Sequence, residues 1–146
     1  MWLYKEHKRI FTLKPINSIE DMPENTFGFI YEVCYVPTNE KYLGKKVLYF
    51  NRTLPPLKGF KRKRKVVKES DWLTYYGSHS KIKQLLSEGK QENFSRKILE
   101  FAFNKKHLTY LETKYQFCNN VLENTEYIND NILGKFFRKD LVNPNI

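Results

Sequence analysis

The chain has 146 residues, 40% apolar and 29% charged, the make-up of one folded domain rather than a wholly disordered chain. Lysine and arginine number 26 against 16 acids, a formal net charge of +10, so a polyanion is the expected partner, and nucleic acid is the commonest one. No apolar run approaches the ~20 residues of a bilayer helix, the opening MWLYKEHKRI offers no apolar stretch for export, and Cys34 and Cys118 alone make neither a disulfide framework nor a zinc site. A membrane is therefore not expected as a partner, and a reducing cytoplasm suits the cysteines.

Residues 1–26 alternate weakly and end in the turn-prone DMPENT, so they read as an N-terminal extension with at most one short strand. FGFIYEVCYV (27–36) is rich in β-branched and aromatic residues and predicts a strand. PTNE (37–40) supplies turn chemistry, and KYLGKKVLYF (41–50) predicts the second strand of a hairpin. Leu54 to Ser70 carries two prolines, a glycine and no periodicity, which predicts a long loop. Ile82, Leu85 and Leu86 predict a helix over about 79–88, stopped by Gly89 at C′. ENFSRKILEFAF (92–103) predicts the third strand, and Leu108, Leu111 and Tyr115 stripe a second helix from Lys105 to about Asn119. A short helix is expected near 119–124, followed by an irregular, basic end over 136–146. The order is β-β-α-β-α, an α/β (α+β) domain on a small three-stranded, mostly antiparallel sheet flanked by helices.

The charge is concentrated. Lys58, Lys61, Arg62, Lys63, Arg64, Lys65 and Lys68 lie in one stretch without an acid and supply most of the excess. As a long basic segment, 61–65 is the expected DNA contact, although a solvated surface loop has the same composition.

If PTNE closes the hairpin, Val36 faces Lys41, Tyr35 faces Tyr42 and Tyr31 faces Lys46. Tyr31, Tyr35, Tyr42 and Lys46 then line one side of the sheet, with Gly44 leaving a gap among them. Such a side could handle phosphate or be an ordinary aromatic ladder. On the second helix, about 100° per residue places Glu112 about 40° from Leu108, beside the apolar stripe. A carboxylate at that seam needs a cationic partner, either a lysine or a divalent metal such as Mg²⁺. Among the histidines, His7 and His107 read as incidental and His79, at a helix start after YYGS, is the one of interest.

Phe29-Ile30-Tyr31, with eleven positions from tyrosine to tyrosine, then Tyr42-Leu43-Gly44, resembles the GIY-YIG nuclease signature. The strings ESDWLTYYGSHSKIKQLL, GKQENFSRKILE and LETKYQF are similar to small phage-encoded, homing-like endonucleases of that family. The resemblance spans roughly 27–135, a nuclease core with a basic insert at 47–77. It implies a β-β-α-β-α fold, a metal-dependent DNA endonuclease, and one Mg²⁺ or Mn²⁺ per site held by Glu112. It further implies Tyr31 as proton acceptor for the attacking water, Tyr42 as a phosphate or water ligand, and Asn129 orienting Glu112 or substrate. Phe29 stands where the first motif has glycine, and no arginine follows the second motif on a helix. Lys45 or Lys46 is expected to hold the phosphate in its place. A phenol accepts a proton near neutral pH only if cations depress its pKa from about 10. A non-catalytic basic nucleic-acid-binding protein on the same fold would share the charge and the loop. Oligomeric state and recognition sequence are left open by the sequence.

Overall fold

The computed structural model describes residues 1–5 and 13–141. His7, the middle of the predicted extension and the last five residues of the predicted tail lie outside the described residues. The strands are β1 (Trp2–Lys5), β2 (Leu13–Ile16), β3 (Gly28–Tyr35), β4 (Glu40–Val47), β5 (Tyr49–Leu54), β6 (Arg64–Glu69), β7 (Phe94–Ala102), β8 (Asn131–Ile132) and β9 (Phe136–Phe137). The helices are α1 (Ser80–Ser87), α2 (Lys105–Cys118) and the single turn α3 (Arg138–Leu141).

The three predicted strands of the sheet are β3, β4 and β7, and both predicted helices form within a residue or two of their expected limits. The sheet itself has five strands rather than three, in the order β2-β1-β7-β3-β4. The N-terminal residues read as an extension supply the other two: β1 pairs parallel to β7 and antiparallel to β2. Trp2 drives this addition. It is fully buried, packs against Phe29 and Tyr31, and donates its indole N–H to the Trp72 carbonyl at 2.8 Å. An apolar body with a satisfied polar tip is what a large aromatic needs in a core.

The sheet is covered on both faces. Trp2, Phe29, Tyr31, Val33, Trp72 and Ile98 centre one core, and Ile30, Leu43, Ala102, Leu108, Leu111 and Val121 the other, beneath α2. α1 lies on the first face, where Ile82 and Leu85 line a small gap together with Val33 and Tyr42. Asn104 caps α2 by accepting the His107 N–H at 2.8 Å. α1 ends as its sequence predicts: the Gly89 and Lys90 N–H groups bond to the Leu86 and Leu85 carbonyls, closing a Schellman motif.

Four further expectations are corrected. The hairpin pairs Tyr35 with Glu40, Val33 with Tyr42 and Tyr31 with Gly44, so its loop is Val36–Asn39. The Val36 N–H is taken by the Asn93 carbonyl at 2.9 Å instead of the hairpin partner, and Asn39 turns the chain at φ 57°. Both registers keep the same residues on the same face, because they differ by two residues, one full side-chain period. The expected loop 54–70 is half strand: β5 and β6 form a two-stranded antiparallel ribbon separate from the main sheet. β4 and β5 are separated at Leu48, which is fully buried and bonds to Phe27 and Ser70. The stretch 119–124 is turn rather than helix, with Asn120 at φ 51°, and the described part of the tail, 136–141, is built into the β8–β9 hairpin and α3. Arg138 explains that placement: its guanidinium donates to the Val121, Asn124, Tyr127 and Asn129 carbonyls.

Candidate active site

β4 is an edge strand of the sheet, and its exposed edge is partly covered by the segment after α2. Lys41 N–H donates to the Glu126 carbonyl at 2.8 Å, and the Ile128 N–H donates to the Lys41 carbonyl at 2.7 Å. Asn129 then replaces backbone with side chain. Its Oδ1 accepts the Leu43 N–H at 3.1 Å and its Nδ2 donates to the Leu43 carbonyl at 2.8 Å. An unpaired edge strand exposes such groups, and a primary amide satisfies both at once. Asn129 is 2% exposed, so its direct task is to hold the edge of β4.

Where this cover ends, a polar cleft of about 380 Å³ opens between the strand edge, α1 and α2. Tyr42, Ser78, His79, Glu112, Gln116 and Asn129 are among its lining. Tyr42 comes from the α1 face of the sheet and Glu112 from the helix on the opposite face; they meet because the cleft lies at the edge between the faces. The Tyr42 hydroxyl is 3.2 Å from Ser78 Oγ. The predicted position of Glu112 at the margin of the helix–sheet seam is what the structure has: its side chain is 18% exposed, with Lys45 Nζ at 3.9 Å. Burial raises its carboxyl above the usual carboxylate range, opposed by Lys45.

Tyr31 stands behind this cleft rather than in its wall. It is 1% exposed, its ring centroid lies 6.3 Å from that of Tyr42, and the Tyr75 ring meets it edge-on at 5.8 Å. Two glycines make room for it. A Cβ at Gly44 would fall 2.7 Å from the Tyr31 hydroxyl; one at Gly77, where φ is 119°, would fall 3.2 Å from Ile82, 3.3 Å from Tyr42 and 3.5 Å from that hydroxyl. Burial pushes the Tyr31 phenol well above its ordinary pKa, with Tyr75 and Tyr42 adding to it, and burial also raises Tyr42. The expected depression by neighbouring lysines is therefore reversed in this state. Both lysines are otherwise engaged. Lys45 donates to Thr109 Oγ1 at 3.1 Å beside Glu112, and Lys46 pairs with Asp71 at 2.6 Å with its ammonium 3.8 Å from the Tyr75 ring centroid.

The cleft thus gathers Tyr42, Glu112 and Asn129, keeps Tyr31 and Lys45 next to them, and leaves Lys46 with Asp71. Lys61, Arg62 and Lys63 lie in the connection between β5 and β6, and Arg64 and Lys65 on β6, all exposed. Sequence reasoning missed Gln116 and the partner of His79. His79 caps α1 through Nδ1, which accepts the Lys81 N–H at 3.1 Å, so the ring proton sits on Nε2 and is donated to Asp130 at 3.0 Å. Gln116 lies one turn after Glu112, a spacing that places both on one helix face; its Nε2 donates to the Leu43 carbonyl at 3.3 Å. Among the described residues, Gln116 Oε1 is a buried polar atom with no hydrogen-bond partner.

A divalent ion of the hard, oxygen-seeking kind fits this chemistry. Among the described residues no cluster of three or more His, Cys, Asp or Glu side chains could cage a metal. One half-dry carboxylate facing open polar space suits Mg²⁺ or Mn²⁺, which keeps waters and takes substrate oxygens. Among the described residues, no helix is long and apolar enough to cross a membrane.

No curated protein and no solved structure matches the chain. A family model does, over residues 4–132, described as "Putative endonuclease segE, GIY-YIG domain". That span holds both tyrosine motifs, Glu112 and Asn129, together with the strands and helices that carry them, and the chain belongs to the GIY-YIG endonuclease domain family, a family of nucleases.

Proposed function

We propose that the chain is a metal-dependent endonuclease that hydrolyses DNA phosphodiesters in the cleft beside β4, of the small phage-encoded, homing-like kind its motifs resemble. The observation that carries this reading is the meeting of Tyr42, Glu112 and His79 in one polar cleft, at the edge of a protein whose net charge is +10. Glu112 would hold the Mg²⁺ or Mn²⁺, which when bound supplies positive charge to the phosphoryl oxygens and the leaving 3′ oxygen. Tyr42 is a protonated donor at neutral pH, given its raised pKa, so its hydroxyl donates to a non-bridging oxygen or positions the attacking water. Tyr31 would take the water's proton at Oη as the phenolate, after positive charge in the cleft has lowered a phenol that burial and its tyrosine neighbours hold high and its own proton has passed to solvent. Lys45 Nζ, released from Glu112, is free to contact a phosphate oxygen as a point charge. Asn129 acts at one remove, keeping Leu43 and hence Tyr42 and Gly44 in place. The exposed basic residues Lys61, Arg62, Lys63 and Arg64 contribute contacts to DNA phosphates.

Nicking of supercoiled plasmid in Mg²⁺, absent in EDTA, tests the reading. Glu112→Gln, folded and still binding DNA in Ca²⁺, should lose at least about 100-fold in rate. Near-normal nicking by that variant would refute the assigned chemistry, and its absence in the wild type would leave a non-catalytic DNA-binding protein.

A further inference from the structure

After Leu48 the chain leaves the main sheet, and the ribbon of β5 and β6 carries no buried residue; only Leu54 is half-covered. A two-stranded ribbon on its own is marginal in water, so two uncovered faces need an account. The register sorts its side chains. Directly opposed residues share a face, so Phe50, Arg52 and Leu54 lie with Lys68, Val66 and Arg64, while Tyr49, Asn51 and Thr53 lie with Glu69, Val67 and Lys65. The first face therefore holds Arg52, Arg64 and Lys68 without an acid, and the second holds Lys65 opposed by Glu69 further along. The first face is also continuous with the active-site side of the sheet. Its Phe50 ring lies 5.2 Å from Lys46 Nζ, and Lys46 shares the β4 face of Tyr42 and Gly44.

Size selects the partner. Six residue pairs span about 20 Å at ~3.4 Å per residue. The major groove of B-DNA, about 12 Å wide, admits a two-stranded ribbon, whereas its minor groove, about 6 Å wide, is too narrow. The major groove of A-form RNA is deep and narrow and excludes one. We propose that β5 and β6 form a DNA-reading ribbon whose Arg52–Arg64–Lys68 face seats in the major groove of duplex DNA, with Lys65 turned away. The choice of DNA as the polyanion rests on the nuclease reading; the choice of face rests on the strand register alone.

The test compares cations on opposite faces. Binding of a short duplex is measured in Ca²⁺ against salt for the full chain and for Arg52→Ser, Lys68→Ser and Lys65→Ser, each checked for folding by thermal unfolding. The slope of log K on log salt should shallow by up to about 0.9 for each of the first two and stay unchanged for Lys65→Ser. Equal losses on both faces, or none on either, overturn the proposal. A second arm uses duplex treated with dimethyl sulfate. Bound wild-type complexes should be depleted in N7-methylguanine, a major-groove lesion. Interference confined to N3-methyladenine, or tighter binding of an RNA duplex, overturns it as well. Both arms are independent of cleavage: a wild type that binds in this way and fails to nick in Mg²⁺ refutes the nuclease chemistry and leaves the ribbon standing.

Discussion

Gly44→Ala measures how tightly the phenols beside the cleft are held. A Cβ at this position would lie 2.7 Å from Tyr31 Oη, 2.9 Å from Tyr31 Cζ and 3.2 Å from Tyr42 Cε1. Nonbonded carbon prefers about 3.5–4.0 Å, so either the strand or the ring must move by a good part of an ångström. The ring has little freedom. It is 1% exposed and meets Trp2, Phe29 and Tyr75 edge-on, with ring centroids 5.7, 6.4 and 5.8 Å away. Overpacking of this kind costs about 1–3 kcal/mol, which lowers Tm by about 2–12 °C in a chain of this size. The displaced atoms belong to Tyr31 and Tyr42, and a misplacement of about 1 Å can cost about 100-fold in rate, so nicking should fall out of proportion to the loss of stability. Tyr31→Phe deletes the atom of closest approach. Gly44→Ala with Tyr31→Phe should therefore be less destabilised than the two single changes together, by at least about 0.5 kcal/mol. Denaturant unfolding of the four proteins, with plasmid nicking on the same preparations, supplies the data. Strict additivity, or a Gly44→Ala protein as stable and active as the wild type, would refute the packing argument.

Glu112→Gln should also alter the pH dependence of stability. The folded carboxyl is raised above its unfolded value, so its favourable contribution is complete below about pH 4.5 and is lost as pH rises through the folded value; Tm of the variant should match the wild type in acid and equal or exceed it at pH 7. The Lys45 pair lost in the exchange is partly exposed and worth at most about 1 kcal/mol, so a large drop in Tm at pH 7 would show that the carboxylate is structural. Asn129→Ala strands the Leu43 N–H at a buried edge and leaves its carbonyl with the Gln116 bond alone, and should cost about 1–3 kcal/mol by denaturant unfolding; amide exchange at Leu43 no faster than in the wild type would contradict the clamp. Replacing Lys61, Arg62, Lys63, Arg64 and Lys65 by Ser removes no buried group, so unfolding should be nearly unchanged while DNA affinity falls steeply at low salt; unaltered affinity at 50 mM salt would exclude this segment from the interface.

The elements that rest on local pattern could be read from the chain directly. The alternating aromatics of 28–35, the stripe of Leu108, Leu111 and Tyr115, and Gly89 after α1 each encode their structure within a few residues, because side-chain periodicity and backbone stereochemistry are short-range. Face membership in the hairpin was legible for the same reason: a strand alternates whatever its register. The tyrosine motifs with Glu112 at their distance made the family legible too. What no local pattern holds is which distant segments share an edge. Trp2 reaches the sheet across seventy residues to Trp72, and that contact turns an apparent extension into two strands. Asn129 reads as a polar residue in a loop until the edge of β4 supplies its two partners. Whether a phenol is a good base depends on burial and on where nearby ammonium groups point, and here the fold draws Lys46 to Asp71 and seals Tyr31 behind Gly44. The basic segment reads as a loop because its strands have no core to pattern them; register alone, set by pairing across the ribbon, decides which of its cations share a face.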